Sequence, residues 1–371
     1  MGRQVARGYA PGGVAAAASI LACFVFTAAG AAQNNGYPSP DDLVLSPDGT
    51  RLYAVLSGTN EVAAIDTATH AVAGRVAVGR VPRGIAITPD GARLYVTNSW
   101  ADTVSEIDAA TLRALRTLPA GFEPTGIAFH GGVLYVANRL SDNVTVVDLA
   151  GGAITRHLIA AHGASYVAAS PDDTRIYVTH IYPFPGEFRT PPRSEIAEID
   201  ARQQIVTDRI ALPDAAGVFH VAVSRDGRLG LAALLRPHNL VPLAHVEHGW
   251  AFVDSLAVFG EDIGGVVQLP LDAIEDYFSL PFGVAIAPDK KRAYVSASGS
   301  NEVAVIDLAR LVAAARSPSA ARMANDLSAA ARYVIARIPV GRNPRSIALS
   351  SDGTTLWVAN RLDDSISIID T

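Results

Sequence analysis

The sequence predicts an all-β fold: a seven-bladed propeller of four-stranded antiparallel blades, the last of which lacks its outer strand. Three observations lead there. The first is a unit, Pro82-Arg83-Gly84-Ile85-Ala86-Ile87-Thr88-Pro89-Asp90-Gly91-Ala92-Arg93-Leu94-Tyr95-Val96-Thr97-Asn98, followed by Val104-Ser105-Glu106-Ile107-Asp108. Two runs with period-two alternation flank a Pro-Asp-Gly turn, in which proline presets φ and glycine accepts a positive one. The second observation is recurrence. Ser46-Pro47-Asp48-Gly49, Ser170-Pro171-Asp172, Ser224-Arg225-Asp226-Gly227, Pro288-Asp289 and Ser351-Asp352-Gly353 mark further copies, each before a strand-like run. The third is spacing. Copies one blade apart must stack on their neighbours, because a lone four-stranded sheet cannot bury its own faces.

Along the chain, residues 1–31 read as a signal peptide. Arg3 and Arg7 form the basic start, residues 14–29 an apolar stretch, and Ala29-Gly30-Ala31 a small-residue cleavage site. Cys23 after Leu21-Ala22 invites a lipoprotein reading, which the bulk of Leu21 and the continuing apolar run disfavour. Residues 32–40 are a short linker. The blades then span 41–79, 80–121, 122–160, 161–213, 214–271, 272–341 and 342–371, with boundaries good to a few residues. Blade 5 is degenerate: its first hairpin covers 217–233, and 252–267 holds its outer strands. Blade 7 stops after its third strand, and residues 33–40, with two prolines, are poorly suited to supply a fourth. An open edge of this kind is a liability. It suggests the propeller portion of a longer ancestor or an incomplete reading frame.

Composition excludes several classes of function. Cys23 is the only cysteine and falls within the leader, so the mature chain forms no disulfide, thiolate centre or covalent c-type haem. Loss of the leader removes two arginines and no acid, taking the formal charge from -6 to -8. An acidic chain offers no electrostatic footprint for nucleic acid, and no membrane span is expected once the leader is cleaved. The Asp that ends each third strand (Asp66, Asp108, Asp148, Asp200, Asp307, Asp370) repeats in nearly every blade. A turn cap explains that repetition better than acid/base chemistry does.

Tyr95-Val96-Thr97-Asn98, with the variants Tyr135-Val136-Ala137-Asn138 and Trp357-Val358-Ala359-Asn360, resembles the YVTN family of bacterial and archaeal β-propellers, of which YncE-like proteins are members. The resemblance covers the chain after residue 40 and implies a periplasmic or secreted protein. It speaks for fold and little for function. A narrower resemblance, carried by residues 237–252 and 280–289, is to propellers that precede dihaem cytochrome c peroxidase-like domains. This chain departs from them in having no Cys-x-x-Cys-His motif.

Departures from the repeat mark where function is grafted. Blade 4 inserts 181–193 and blade 5 inserts 236–250 between second and third strands. Blade 6 extends between third and fourth, where 308–316 and 320–332 read as Ala-rich helices broken at Ser317-Pro318-Ser319. In an antiparallel blade the loop before the first strand and the loop between second and third share a face. On that face fall His162, His180, His220, His238, His245 and His248, together with Tyr182, Phe184, Trp250 and the blade-start residues Arg83, Phe282 and Arg345. At the channel mouth the blade starts place Asp41, Arg83, Thr125, Ser165, Phe219, Phe282 and Arg345.

Two functions fit this face. The leading one is a non-catalytic docking scaffold for a protein partner, a c-type cytochrome or peroxidase-like redox protein, seated on the His- and aromatic-rich loops of blades 4 and 5. The alternative is a propeller enzyme or metal protein, lactonase-like or redox, with copper, iron or zinc on His238, His245 and His248. Those three histidines lack the tight spacing that makes a ligand set convincing. No residue stands out as catalytic.

Overall fold

Seven four-stranded antiparallel sheets are arranged in a ring in the computed structural model, which describes residues 20–25 by their backbone and residues 36–371 apart from 161, 172–173, 188–189, 238–251 and 274–275. Within blades 1 to 6 the strands run in sequence order from the inside outward, as in Pro82–Ile87, Arg93–Asn98, Thr103–Asp108 and Arg113–Pro119 of blade 2. Each innermost strand touches the innermost strand of the next blade, and that of blade 7 returns to that of blade 1, so the ring closes. Blade 5 has the two hairpins expected, Gly217–Val223 with Gly230–Pro237 and Phe252–Gly260 with Gly265–Pro270.

The core lies between blades. Tyr53, Val55 and Val62 of blade 1 pack with Ile85, Leu94 and Val96 of blade 2, all essentially out of water. Three positions of the repeat then clip one blade to the next. The Tyr53 hydroxyl donates to the Ala109 carbonyl (3.1 Å) and that of Tyr135 to Ala201 (2.8 Å). Thr97 Oγ1 accepts from Gly84 N (2.8 Å) and donates to the Thr125 carbonyl (2.6 Å). Ser296 does the same between Gly283 and Arg345. Asn98 Oδ1 accepts from Gly79 N (2.9 Å), and Asn138 Oδ1 from Gly121 N (3.0 Å). Glycine is required where inner strands approach this closely: a Cβ on Gly84 would lie 2.3 Å from the Thr125 carbonyl oxygen. The Tyr, Thr and Asn of the motif are therefore assembly contacts, which is why the motif predicts the fold and is silent about chemistry.

The third-strand aspartates are turn caps. Asp66 Oδ1 accepts from the backbone of Ala68 and Thr69, Asp108 from Thr111, and Asp200 from Arg202 and Gln203. Asp307 caps the helix Leu308–Ala315 by accepting from Arg310 N (3.0 Å). The second expected helix, 320–332, is a correction. Only Ala320–Met323 is α-helical, followed by a 3-10 turn at Ala330–Arg332. Asp326 Oδ1 accepts from the backbone N–H and hydroxyl of Ser328, a local side-chain turn that competes with the helix. The insertion wraps the outside of blade 5, where buried Arg236 donates to the Ala324 carbonyl (2.6 Å).

Blade 7 takes three strands from the carboxy-terminal repeat, as expected: Pro344–Leu349, Thr355–Asn360 and Ser365–Asp370. Along the outer edge of the third runs Ile20–Val25, antiparallel, with Cys23 opposite Ser367 and Val25 opposite Ser365. These are the residues read above as the apolar centre of the leader. Residues 36–39 form no strand, in keeping with the expectation that the linker does not close this blade. Among the described residues no helix is long and apolar enough to cross a membrane.

Candidate functional site: the blade-start face and the channel mouth

Antiparallel connectivity gives the ring two unlike faces. One carries the hairpin turns and the Asp caps. The other carries the loops before first strands and between second and third strands. Among the described residues, the exposed large apolar side chains concentrate on this second face: Trp100, Phe122, Leu140, Tyr182, Phe252, Tyr277, Leu280 and Leu362, at least one from each of blades 2 to 7, with Tyr37 from the segment before blade 1. Val72, Ile205 and Ile335 are their counterparts on the turn face. The guanidinium of Arg80 lies 5.6 Å over the Trp100 ring.

On blade 4, His162 is exposed, with Nε2 3.9 Å from Asp142 Oδ2 and its ring 5.6 Å from that of Tyr182. Phe184 is half-buried beneath Arg193, whose Cζ lies 5.6 Å from its ring. His180 and His220, expected on the rim, are buried instead. His180 ends a second strand at the position of Asn98 and Asn138 and donates from Nδ1 to the Glu195 carbonyl of its own blade (2.9 Å). Burial pulls its pKa down to about 4. His238, His245, His248 and Trp250, with the metal reading placed on the three histidines, lie outside the described residues. Among the described residues no group of three His, Cys, Asp or Glu stands close enough to hold a metal.

The seven blade-start residues do converge. Asp41, Arg83, Thr125, Ser165, Phe219, Phe282 and Arg345 all line one pocket at the channel mouth, with Asp42, Arg139, Tyr166, His220 and Ser346 beside them. The free space is about 80 Å³, room for a few waters or a small ion. Asp41 is its electrostatic centre. Arg83 Nη1 donates to Oδ2 at 2.7 Å, while Arg345 Nε stands 3.3 Å and Arg361 Nε 3.8 Å from Oδ1. Burial alone would raise this carboxyl, but Arg345, Arg83 and Arg361 outweigh it and hold it below the usual range. Next to it, Asp42 is pushed up to about 7 by burial, against hydrogen bonds from Ser346, Ile85 N and Leu43 N.

An aromatic wall faces these charges. Arg345 stacks on Phe282, its Cζ 3.8 Å from the ring centroid, and Phe219 lies 5.6 Å beyond. The His220 ring sits 3.5 Å from that of Tyr166, and neither of its nitrogens has a hydrogen-bond partner. Burial takes its pKa down to about 3, so the ring is neutral at any physiological pH. Sequence reasoning missed Asp42, Arg139, Tyr166 and Arg361. Each is adjacent in sequence to a position it did find (Asp41, Asn138, Ser165, Asn360), and that adjacency is the signal that was open to it.

No protein-family model matches the chain. Among curated proteins it is 27% identical over 177 residues to hydrazine synthase subunit beta of Kuenenia stuttgartiensis, a stretch covering 47% of this chain and 46% of that protein. The match thus spans about half the length of that relative. Among solved structures, Kuenenia stuttgartiensis hydrazine synthase matches with a TM-score of 0.85 and 27% identity, over 90% of this chain and 96% of that one. These likenesses bear out the propeller. They support neither the YVTN-family resemblance nor the resemblance to peroxidase-associated propellers.

Proposed function

We propose that the chain is a non-catalytic propeller subunit that docks another protein of a redox assembly on its blade-start face. The observation that carries this reading is the ring of exposed large apolar side chains contributed to that face by blades 2 to 7 and by Tyr37 in the segment before blade 1. Aromatic side chains beside arginine, such as Trp100 under Arg80, have the composition of protein interfaces. Similarity to a protein named as one subunit of a hydrazine synthase supports an assembly role. The partner we favour is a c-type cytochrome or related haem protein, met outside the cytoplasm after export through the leader. Catalysis fits the mouth less well, because Asp41, clamped by three guanidiniums, is a weak base and the Asp42 carboxyl already accepts from Ser346, Ile85 N and Leu43 N.

Affinity purification of the tagged chain from its native cells tests this. A stoichiometric second polypeptide with c-type haem absorbance is expected, and its yield should fall sharply in a Trp100→Asp/Leu362→Asp variant. Recovery of the chain alone, for wild type and variant alike, would refute the docking reading.

A further inference from the structure

We propose that the channel mouth is a binding site for a small planar oxyanion, a short carboxylate or bicarbonate, gripped by Arg83 and Arg345 against Phe282 and His220. The proposal does not depend on docking, since it rests on what the pocket leaves unpaired. Three guanidiniums surround one carboxylate, so positive charge is in excess. Arg83 commits one terminal nitrogen to Asp41, and Arg345 commits only Nε; their remaining N–H groups have no partner among the described residues. Buried Arg139 Nε, on the same wall, is also unpaired, as are both nitrogens of His220, a side chain only 6% exposed.

Unpaired buried donors such as Arg139 Nε and the one N–H of His220 are costly, and their convergence with the part-exposed guanidiniums of Arg83 and Arg345 on one cavity marks a place where an acceptor belongs. A cation is repelled by the guanidiniums. The fork of N–H donors on arginine matches a planar oxyanion better than a spherical halide. The space of about 80 Å³ in this half-open mouth suits an anion the size of formate or acetate, and the face of Phe282 suits a one- or two-carbon tail. Neutral His220 can still donate one N–H.

Isothermal titration of the full chain with sodium acetate and sodium formate, at ionic strength fixed with sodium chloride, tests the site. Saturable one-to-one binding is expected with Kd below about 10 mM. It should weaken about tenfold or more in Arg345→Gln and in Arg83→Gln, while the exposed outer-strand variant Arg113→Gln behaves as wild type. Absence of saturation up to about 100 mM, or equal affinity in all three variants, would overturn the site. Should circular dichroism show that the pocket variants have lost their sheet, the wild-type pH profile decides. Affinity must fall as pH rises through about 7, where Asp42, beside Asp41 and Tyr166, gains its charge at the mouth. A flat profile there rules the site out.

Discussion

Replacing Asn98 by alanine tests the claim that the repeat's asparagine is an assembly contact. Asn98 is 1% exposed and makes three hydrogen bonds: it accepts from Gly79 N at 2.9 Å and donates to Thr103 Oγ1 at 3.1 Å and Ser105 Oγ at 2.9 Å. Alanine leaves the Gly79 donor unpaired at the junction of blades 1 and 2, a cost of about 1–3 kcal/mol moderated by the half-burial of Gly79, and loses two further bonds worth about 0.5–1.5 kcal/mol each. The sum is about 2–6 kcal/mol, with the half-burial of Gly79 placing it toward the lower end. Asn360 supplies an internal control. It donates to Ser365 and Ser367 in the same way, but its Oδ1 has no partner. Asn360→Ala should therefore cost about 1 kcal/mol less. Urea unfolding followed by circular dichroism at neutral pH reads both, with an unchanged m-value as the condition for comparison. Equal destabilisation by the two variants, or a loss below about 0.5 kcal/mol for Asn98→Ala, would show that the link to the Gly79 backbone contributes nothing.

Stability should fall as pH rises from about 5 to 8. Burial raises Asp42 to about 7, Asp254 to about 8 and Asp272 to about 6, so the folded chain holds protons that the unfolded chain has already released. Their stabilisation is complete below the unfolded carboxylate range and is lost through the folded values. Asp42→Asn should flatten the slope of the urea midpoint against pH, and an unchanged slope would assign the effect elsewhere. Asp41→Asn should destabilise by about 2–4 kcal/mol, reduced from a fully buried pair because the three arginine side chains are 23–30% exposed; the same urea titration reads it, and no change would mean that solvent already screens the cluster. A chain begun at residue 32 should keep its cooperative transition, with a thermal midpoint lowered by no more than a few degrees. The outer strands of blades 1 to 4 and 6 carry Arg75, Arg116, Arg156, Arg209 and Arg337, whereas Ile20–Val25, like Gly265–Pro270 of blade 5, has no charged residue. Failure of the shortened chain to fold would show that this pairing is needed.

How much of this was legible in the sequence follows from what repeats. Blade count came from the turns, since Asp90 ties Thr88 and Ala92 and Gly91 takes φ +70° wherever the Pro-Asp-Gly pattern is written. The ring of mouth residues came from the same register, because rotational repetition turns one sequence offset into one radial position. Side-chain depth was not legible. His180 and His220 share the rim's sequence positions, yet one occupies the clip slot of Asn98 and the other stacks on Tyr166. The path of the blade 6 insertion also escaped, because the contact that fixes it, Arg236 with Ala324, joins residues far apart in sequence.

The two faces differ in how much of their chemistry is already spent. On the turn face, Asp48, Asp90 and Asp352 are satisfied by neighbouring Ser and Thr hydroxyls and by backbone N–H groups, so its acidity reflects closed hairpins. On the blade-start face the apolar side chains are uncovered, and the arginines of the mouth retain free donors. A protein seated across that face would cap the mouth, so docking and oxyanion binding would share one surface. Linkage then requires that whatever factor a bound acetate imposes on docking, docking imposes on acetate. Measuring acetate affinity with and without the purified partner checks this: a changed affinity places both events on the blade-start face, and an unchanged one places the partner away from the mouth.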